Sequence, residues 1–146
     1  MNAIDPARKI LETYRVFAVV GCSSDPWRPS YGVASFLQER GYRIVPVTPF
    51  ESKILGERCY PDLASIPESE GVEVADIFRR SDAAGDHVDE AIALGLKAVW
   101  MQIGVVDEAA AERARQAGLD VVMNRCPKLE YPRVFSSAEG LRERRA

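Results

Sequence analysis

With 146 residues, 47% of them hydrophobic and 28% charged, the chain has the length and composition of one globular domain rather than of a disordered or collagen-like segment. Its apolar runs are strand-length and fall far short of the ~20 residues that cross a bilayer. A formal net charge of −3 argues against the broad basic face of a dedicated nucleic-acid binder, so any anion site has to be local.

The N-terminal residues carry no basic region followed by a long apolar stretch, which predicts a cytoplasmic protein. Residues 1–14 are read as an N-terminal segment with an amphipathic helix over 5–14, residues 15–135 as the main domain, and 136–146 as a tail with a further helix over 136–145. Strands are expected at 16–21, 42–48, 73–78, 97–103 and 119–124. Gly41, Gly95 and Gly118 each stand between a segment of helical spacing and the next apolar run, and Gly71 is a weaker copy of the same phrase. The strands are apolar almost throughout instead of alternating, as parallel strands covered on both faces are. Strand and helix alternation of this kind builds an α/β domain with an open, doubly wound sheet of five mostly parallel strands and helices on both faces. Three scattered cysteines (Cys22, Cys59, Cys126) and the single His87 support neither a disulfide framework nor a zinc site.

Ligands of such sheets bind beyond the carboxyl ends of the strands, so the residues standing there carry the functional argument. After the first strand comes Gly21 to Gly32, a loop rich in glycine, serine and proline that opens a helix, with Ser30 expected as its N-cap and Arg28 as a nearby charge. The unpaired N–H groups of a helix start suit a pyrophosphate; a plain strand-to-helix turn explains the loop equally well, and the dinucleotide fingerprint Gly-x-Gly-x-x-Gly is absent. The second strand ends in Val47-Thr48-Pro49 with no acid at the position that bonds a ribose, Glu51 being the nearest. Lys53 follows, either as the partner of a ribose phosphate or as a solvated lysine. Arg79 and Arg80 follow the third strand, and Arg125 and Lys128 the fifth. Together they put basic residues after four strands of an acidic protein, with no carboxylate partner obvious from sequence. After the fourth strand, Gln102 and Gly104 precede a helix capped by Asp107; Gly104 serves close approach of a ligand or a simple turn.

The stretches Val19-Val20-Gly21-Cys22-Ser23, Arg28 to Ala34, Leu55 to Pro61, Val74 to Arg80, Lys97 to Gln102 and Asn124 to Lys128 resemble, in order and spacing over about residues 15–130, the small CoA-binding proteins with a Rossmann domain. These are similar to the CoA-binding domain of the succinyl-CoA synthetase α subunit. The resemblance implies a Rossmann-like, nucleotide-binding domain with coenzyme A or an acyl-CoA as ligand. It implies that Gly21, Ser23, Arg28 and Ser30 hold the pyrophosphate and that Thr48, Pro49 and Lys53 meet the adenosine and its 3′-phosphate. Phe78 and Arg79 would line the adenosine or pantetheine side, with Gln102 and Gly104 flanking the arm. Thr48-Pro49 and Asn124 depart from the Asn-Pro and the Asp often found in the family.

The expected function is CoA or acyl-CoA binding without turnover, since no domain supplies the phosphorylatable histidine of the synthetase reaction and His87 falls on an expected surface helix. An NAD(P)-dependent oxidoreductase and a partner-binding module of a larger CoA enzyme are the alternatives. A homo-oligomer or an enzyme partner is compatible with either. A receiver-like switch would need acids where Ser23, Arg79 and Arg80 stand. Cys126 is either a thiol near the pantetheine arm, activated by Arg125 and Lys128, or a small residue in a turn before proline.

Overall fold

The computed structural model describes residues 4–135, so the helix expected over 136–145 lies outside the described residues. The chain begins with helix α1 (Pro6–Thr13), whose Asp5 cap accepts a hydrogen bond from the Ala7 N–H, and enters strand β1 (Val16–Val20). Helix α2 (Pro29–Glu39), strand β2 (Arg43–Val47), a hairpin of β3 (Lys53–Ile54) and β4 (Glu57–Arg58), and a short 3-10 turn follow. Strand β5 (Val74–Ile77), helix α3 (Ser81–Ala93), strand β6 (Ala98–Met101), helix α4 (Glu108–Gln116), strand β7 (Asp120–Val122) and helix α5 (Pro127–Val134) complete the described residues.

The main sheet has five strands in the order β2-β1-β5-β6-β7, every neighbouring pair parallel. The chain winds outward from β1 to β2, returns to the other side of β1 as β5, and continues outward to β7, which is the expected doubly wound topology. Its switch point lies between β1 and β5. The sheet divides the apolar residues into two layers. Phe17, Val19, Ile44, Val74 and Trp100 face the layer that holds α1, α2 and α5, whereas Ala18, Val20, Ala75, Ile77, Val99 and Met101 face α3 and α4. This double covering is why the strands read as apolar runs.

The N-terminal helix packs into that core, with Ala7, Ile10 and Leu11 of α1 fully buried. Lys9 and the Tyr14 hydroxyl both bond the Asp120 carboxylate at the start of β7, at 3.0 and 2.8 Å. Gly41, Gly95 and Gly118 take φ of 91°, 72° and 90°, so each ends a helix in the left-handed conformation that a side chain would oppose. The β3–β4 hairpin was not expected; its turn places Leu55 at φ 52° and Gly56 at φ 79°, the pair of positive values a type I′ turn requires.

Candidate functional site

At the switch point the chains leaving β1 and β5 diverge, and a cavity of about 720 Å³ opens above the carboxyl edge. Its floor is Val20, Gly21 and Val47, and its walls come from the loop into α2, the segment after β2, Phe78 and Arg79 after β5, and Gln102, Ile103 and Val105 after β6. Gly21 is dictated by closeness as well as by backbone: at φ 80°, a Cβ there would meet the Phe78 carbonyl oxygen at 2.3 Å and the Arg79 Cδ at 3.3 Å.

The loop from Gly21 into α2 is folded by its own small polar residues. The Ser30 hydroxyl accepts the Ser23 N–H at 3.1 Å, the Ser23 hydroxyl accepts the Asp25 N–H at 3.0 Å, and the Asp25 carboxylate accepts the Trp27 N–H at 3.0 Å. Ser30 is therefore not the N-cap. Helix α2 starts two residues earlier than such a cap implies, at Pro29, with Arg28 in the capping position and no side-chain cap. Proline explains the shift, since its fixed φ suits the first helical position and its missing N–H is not needed there. Ser30 is buried and spends its oxygen on the loop instead. The first turn of α2 thus presents donors and the positive end of its dipole to the cavity without a side-chain oxygen in competition.

Nine of the eleven residues expected at the site line this cavity: Gly21, Ser23, Arg28, Ser30, Thr48, Pro49, Phe78, Arg79 and Gln102. Lys53 is exposed on the β3–β4 hairpin, in register with Arg58, and lies outside the lining. Gly104 also lies outside it. At φ 86° it forms a turn held from both sides, with its N–H donated to Asn124 Oδ1 at 2.7 Å and its carbonyl accepting the Ser81 hydroxyl at 3.1 Å. Asn124, itself at φ 61°, supports that turn in a conformation asparagine tolerates better than most residues.

The cationic cluster divides into free and paired members. Among the described residues Arg28 and Arg79 make no ion pair. Arg80, also on the cavity rim, pairs with exposed Asp82 at 3.1 Å. Arg125, expected on the anion-binding edge with no partner, is claimed by Asp5 at 2.9 Å and by Glu130. Both acids favour its charged form, and Asp5 is held below the ordinary carboxylate range chiefly by its hydrogen bond from Arg125. Arg125 is a tie between α1 and α5.

Several further residues line the cavity beyond those expected to hold the ligand. Phe50, 86% exposed, and Ile103, 59% exposed, give the mouth an apolar rim, with Trp27 solvent-exposed in the loop into α2. Glu51 lines the cavity and accepts the Ser24 N–H at 3.0 Å. His87, expected on a solvated face, lies in α3 as foreseen but faces the cavity, because helical periodicity places it one step from buried Val88 and Ala84. Cys22 and Cys126 line the cavity as well; burial pushes the Cys22 thiol up to about 12 and also raises Cys126.

Beneath the lining lies Asp76, fully buried in β5 between Val19 and Trp100. Gln102 Nε2 donates to its Oδ1 at 3.0 Å, while Oδ2 has no hydrogen-bond partner among the described residues. Burial raises this carboxyl to about 7, opposed only by the Gln102 bond. An Asp inside an apolar strand is a signal the sequence does carry, and it marks the one ionisable side chain of the sheet's central strands. No group of residues that could hold a metal ion occurs among the described residues, and no described helix is long and apolar enough to cross a membrane.

The chain is 31% identical over 125 residues to the uncharacterized protein YneT of Bacillus subtilis (strain 168), which covers 85% of this chain and 90% of that protein. It superposes with a TM-score of 0.85 on Prb, the PH1109 protein redesigned for binding, at 36% identity over 94% of this chain and 96% of the other. It also matches the dinucleotide-forming acetyl-coenzyme A synthetase 1 of Ca. Korarchaeum cryptofilum, at 25% identity and a TM-score of 0.68, over 80% of this chain and 27% of the synthetase. The model of the CoA binding domain family matches residues 15–132, four-fifths of the sequence and every strand of the main sheet. With its cavity at the switch point of a Rossmann-like sheet, the chain belongs to the CoA binding domain family.

Proposed function

We propose that the protein binds coenzyme A or an acyl-CoA in the cavity above β1 and β5, without turnover of its own. The observation that carries this reading is the convergence, on one cavity, of the uncapped first turn of α2 with the unpaired side chains of Arg28 and Arg79. A pyrophosphate is the anion this arrangement suits: backbone donors meet it from one side and guanidinium groups supply charge-assisted bonds from the other. The apolar rim of Phe50, Phe78 and Ile103 offers contact to an adenine ring and to a pantetheine arm, and a cavity of about 720 Å³ is of the size that buries much of a ligand this large. The family membership and the resemblance to part of an acetyl-coenzyme A synthetase support the same ligand. Residence in the cytoplasm, and presentation of the ligand to a larger CoA enzyme or within a homo-oligomer, complete the proposal.

A second reading draws on one residue. Glu51 puts a carboxylate in the cavity just beyond β2, where nicotinamide-dependent enzymes place the acid that bonds free ribose hydroxyls, and Lys53 lies on the hairpin outside the lining. That favours a ligand without a ribose phosphate, such as NAD. Calorimetric titration with CoA, 3′-dephospho-CoA and NAD separates the two. CoA binding, at least as tight as the dephosphorylated form, supports the first reading; preference for NAD supports the second. Saturation at about 100 times Kd adds about 2.7 kcal/mol to the stability of the folded chain, so thermal melting gives an independent check.

A further inference from the structure

We propose that Trp27 and Phe50 are an aromatic clamp for the base of the ligand: their rings close on the two faces of a purine whose pyrophosphate sits at the first turn of α2. The inference rests on the CoA reading above, and it adds the residues that select a nucleotide over other anions.

Trp27 and Phe50 are the two most exposed large hydrophobic side chains among the described residues, at 93% and 86%. Neither ring makes an aromatic or cation–π contact there. An aromatic side chain has about 150–250 Å² to bury, so two of them left in water beside one cavity are an unused binding surface. Phe50 lines the cavity just beyond β2, and Trp27 stands in the loop into α2 between the lining residues Ser23 and Arg28. The two loops are tied together, because Glu51, next to Phe50, accepts the Ser24 N–H at 3.0 Å.

What covers these rings follows from their neighbours. Trp27 directly precedes Arg28, and Arg28 and Arg79 are the lining arginines without an ion pair among the described residues. Flat apolar surface beside free guanidinium groups, on a chain of net charge −3, suits a ligand that is both anionic and aromatic. A protein surface or an acyl chain would bury the rings but has no use for the cations. In a nucleotide one ribose separates the phosphates from the base, so a pyrophosphate at the first turn of α2 brings its base to the loops that carry both rings. Those loops are formed in advance. The Ser23 hydroxyl accepts the Asp25 N–H, and Asp25 accepts the Trp27 N–H on its carboxylate and the Arg28 N–H on its carbonyl, all at 3.0 Å. The Phe50 N–H is held by the Thr48 hydroxyl at 3.3 Å. With both backbones fixed and both rings in solvent, closing on a base costs rotamer freedom and little else. Removing an aromatic ring that stacks on a base lowers affinity about five- to a hundredfold.

The test reads the chain's two tryptophans. Trp100 is fully buried, with its indole N–H on the Arg125 carbonyl at 2.8 Å, so fluorescence quenching by neutral acrylamide reports on Trp27. Saturating CoA should protect Trp27 from acrylamide, whereas pantetheine 4′-phosphate, which lacks the base, should leave it accessible. Calorimetry should show CoA bound about tenfold more weakly by Trp27→Ala and by Phe50→Ala, with most of the loss restored in Trp27→Phe. Melting temperatures of the free variants should match wild type, because both rings lie in solvent. Wild-type affinity in either alanine variant, a Trp27→Phe as weak as Trp27→Ala, unchanged acrylamide access at saturating CoA, or protection by pantetheine 4′-phosphate overturns the clamp while leaving the binding site standing. Absence of CoA binding to the wild-type protein overturns the CoA reading and the clamp together.

Discussion

Single side chains at the cavity divide into those that would meet a ligand and those that only hold the backbone in place. Arg28 and Arg79 are exposed, unpaired and on the lining, so Arg28→Ala and Arg79→Ala should each weaken CoA about tenfold or more, at 1.5–3 kcal/mol for a lost charge-assisted hydrogen bond, with little change in melting temperature. Lys53→Ala, on the hairpin and outside the lining, should change affinity by less than about twofold. Calorimetry on the three variants checks the division, and a large loss in Lys53→Ala alone would move the phosphate site onto the hairpin. Gly21→Ala tests the opposite class. Its Cβ would lie 2.3 Å from the Phe78 carbonyl oxygen with φ at 80°, so β1 and β5 would have to separate at their carboxyl ends. A loss of about 2–3 kcal/mol is expected from left-handed strain and repulsion together, measurable as a lower urea midpoint.

At the scale of elements, α1 and α5 form a clamp across the open edge of the sheet, and Arg125 is its fastener. Glu130 is buried, and Arg125 and Arg133 are its ion-pair partners, the latter at 3.5 Å and exposed. Arg125→Ala would leave that carboxylate poorly paired and release Asp5, at a cost of about 2 kcal/mol; the figure lies below that of a fully buried pair because the Arg125 side chain is one-third exposed. Chemical denaturation of Arg125→Ala beside Arg125→Ala/Glu130→Gln measures it, and the double variant should recover part of the loss. This clamp was invisible in sequence, because Asp5 and Arg125 lie 120 residues apart and nothing local records their meeting. What could be read was local or periodic. The apolar runs announced strands covered on both faces, Gly41, Gly95 and Gly118 announced helix ends, and Asp107 announced a cap that does accept the Ala110 N–H. The β3–β4 hairpin escaped because strands of two residues have no period, and its turn puts Leu55, a residue with no left-handed preference, at positive φ. Ser30 was misplaced because two capping signals stood side by side and Pro29 took the first helical position. Most of the cavity lining was legible because a doubly wound sheet gathers whatever follows its strands; His87 and Cys126 were seen but set aside, since which way a helix face turns is decided by packing.

For the whole molecule, the buried carboxyl of Asp76 couples stability to pH. Burial raises it from 3.8 to about 7, so the folded chain holds this proton more tightly than the unfolded chain does. The stabilisation this gives is complete below about pH 4 and is lost progressively as pH rises through 7, the whole window amounting to about 4 kcal/mol at roughly 1.4 kcal/mol per unit. Asp5 works in the opposite sense: held low by Arg125, it stabilises the fold above the ordinary carboxylate range and loses that contribution in acid. Cys22 and Tyr14, both pushed up to about 12, add a loss only at much higher pH. Wild-type stability should therefore peak in mildly acidic solution, decline up to about pH 7 and level off above it. In Asp76→Asn the decline should flatten, because an amide of the same shape keeps the Gln102 contact through its oxygen and has no proton to lose. Urea midpoints measured from pH 4.5 to 8 on both proteins give the comparison, and parallel curves would place the ionisation of Asp76 outside this range. Linkage then adds a consequence for binding. A phosphate anion seated above the switch point disfavours the charged carboxylate beneath it, so saturating CoA should shift the wild-type decline to higher pH and leave the Asp76→Asn curve unshifted in pH.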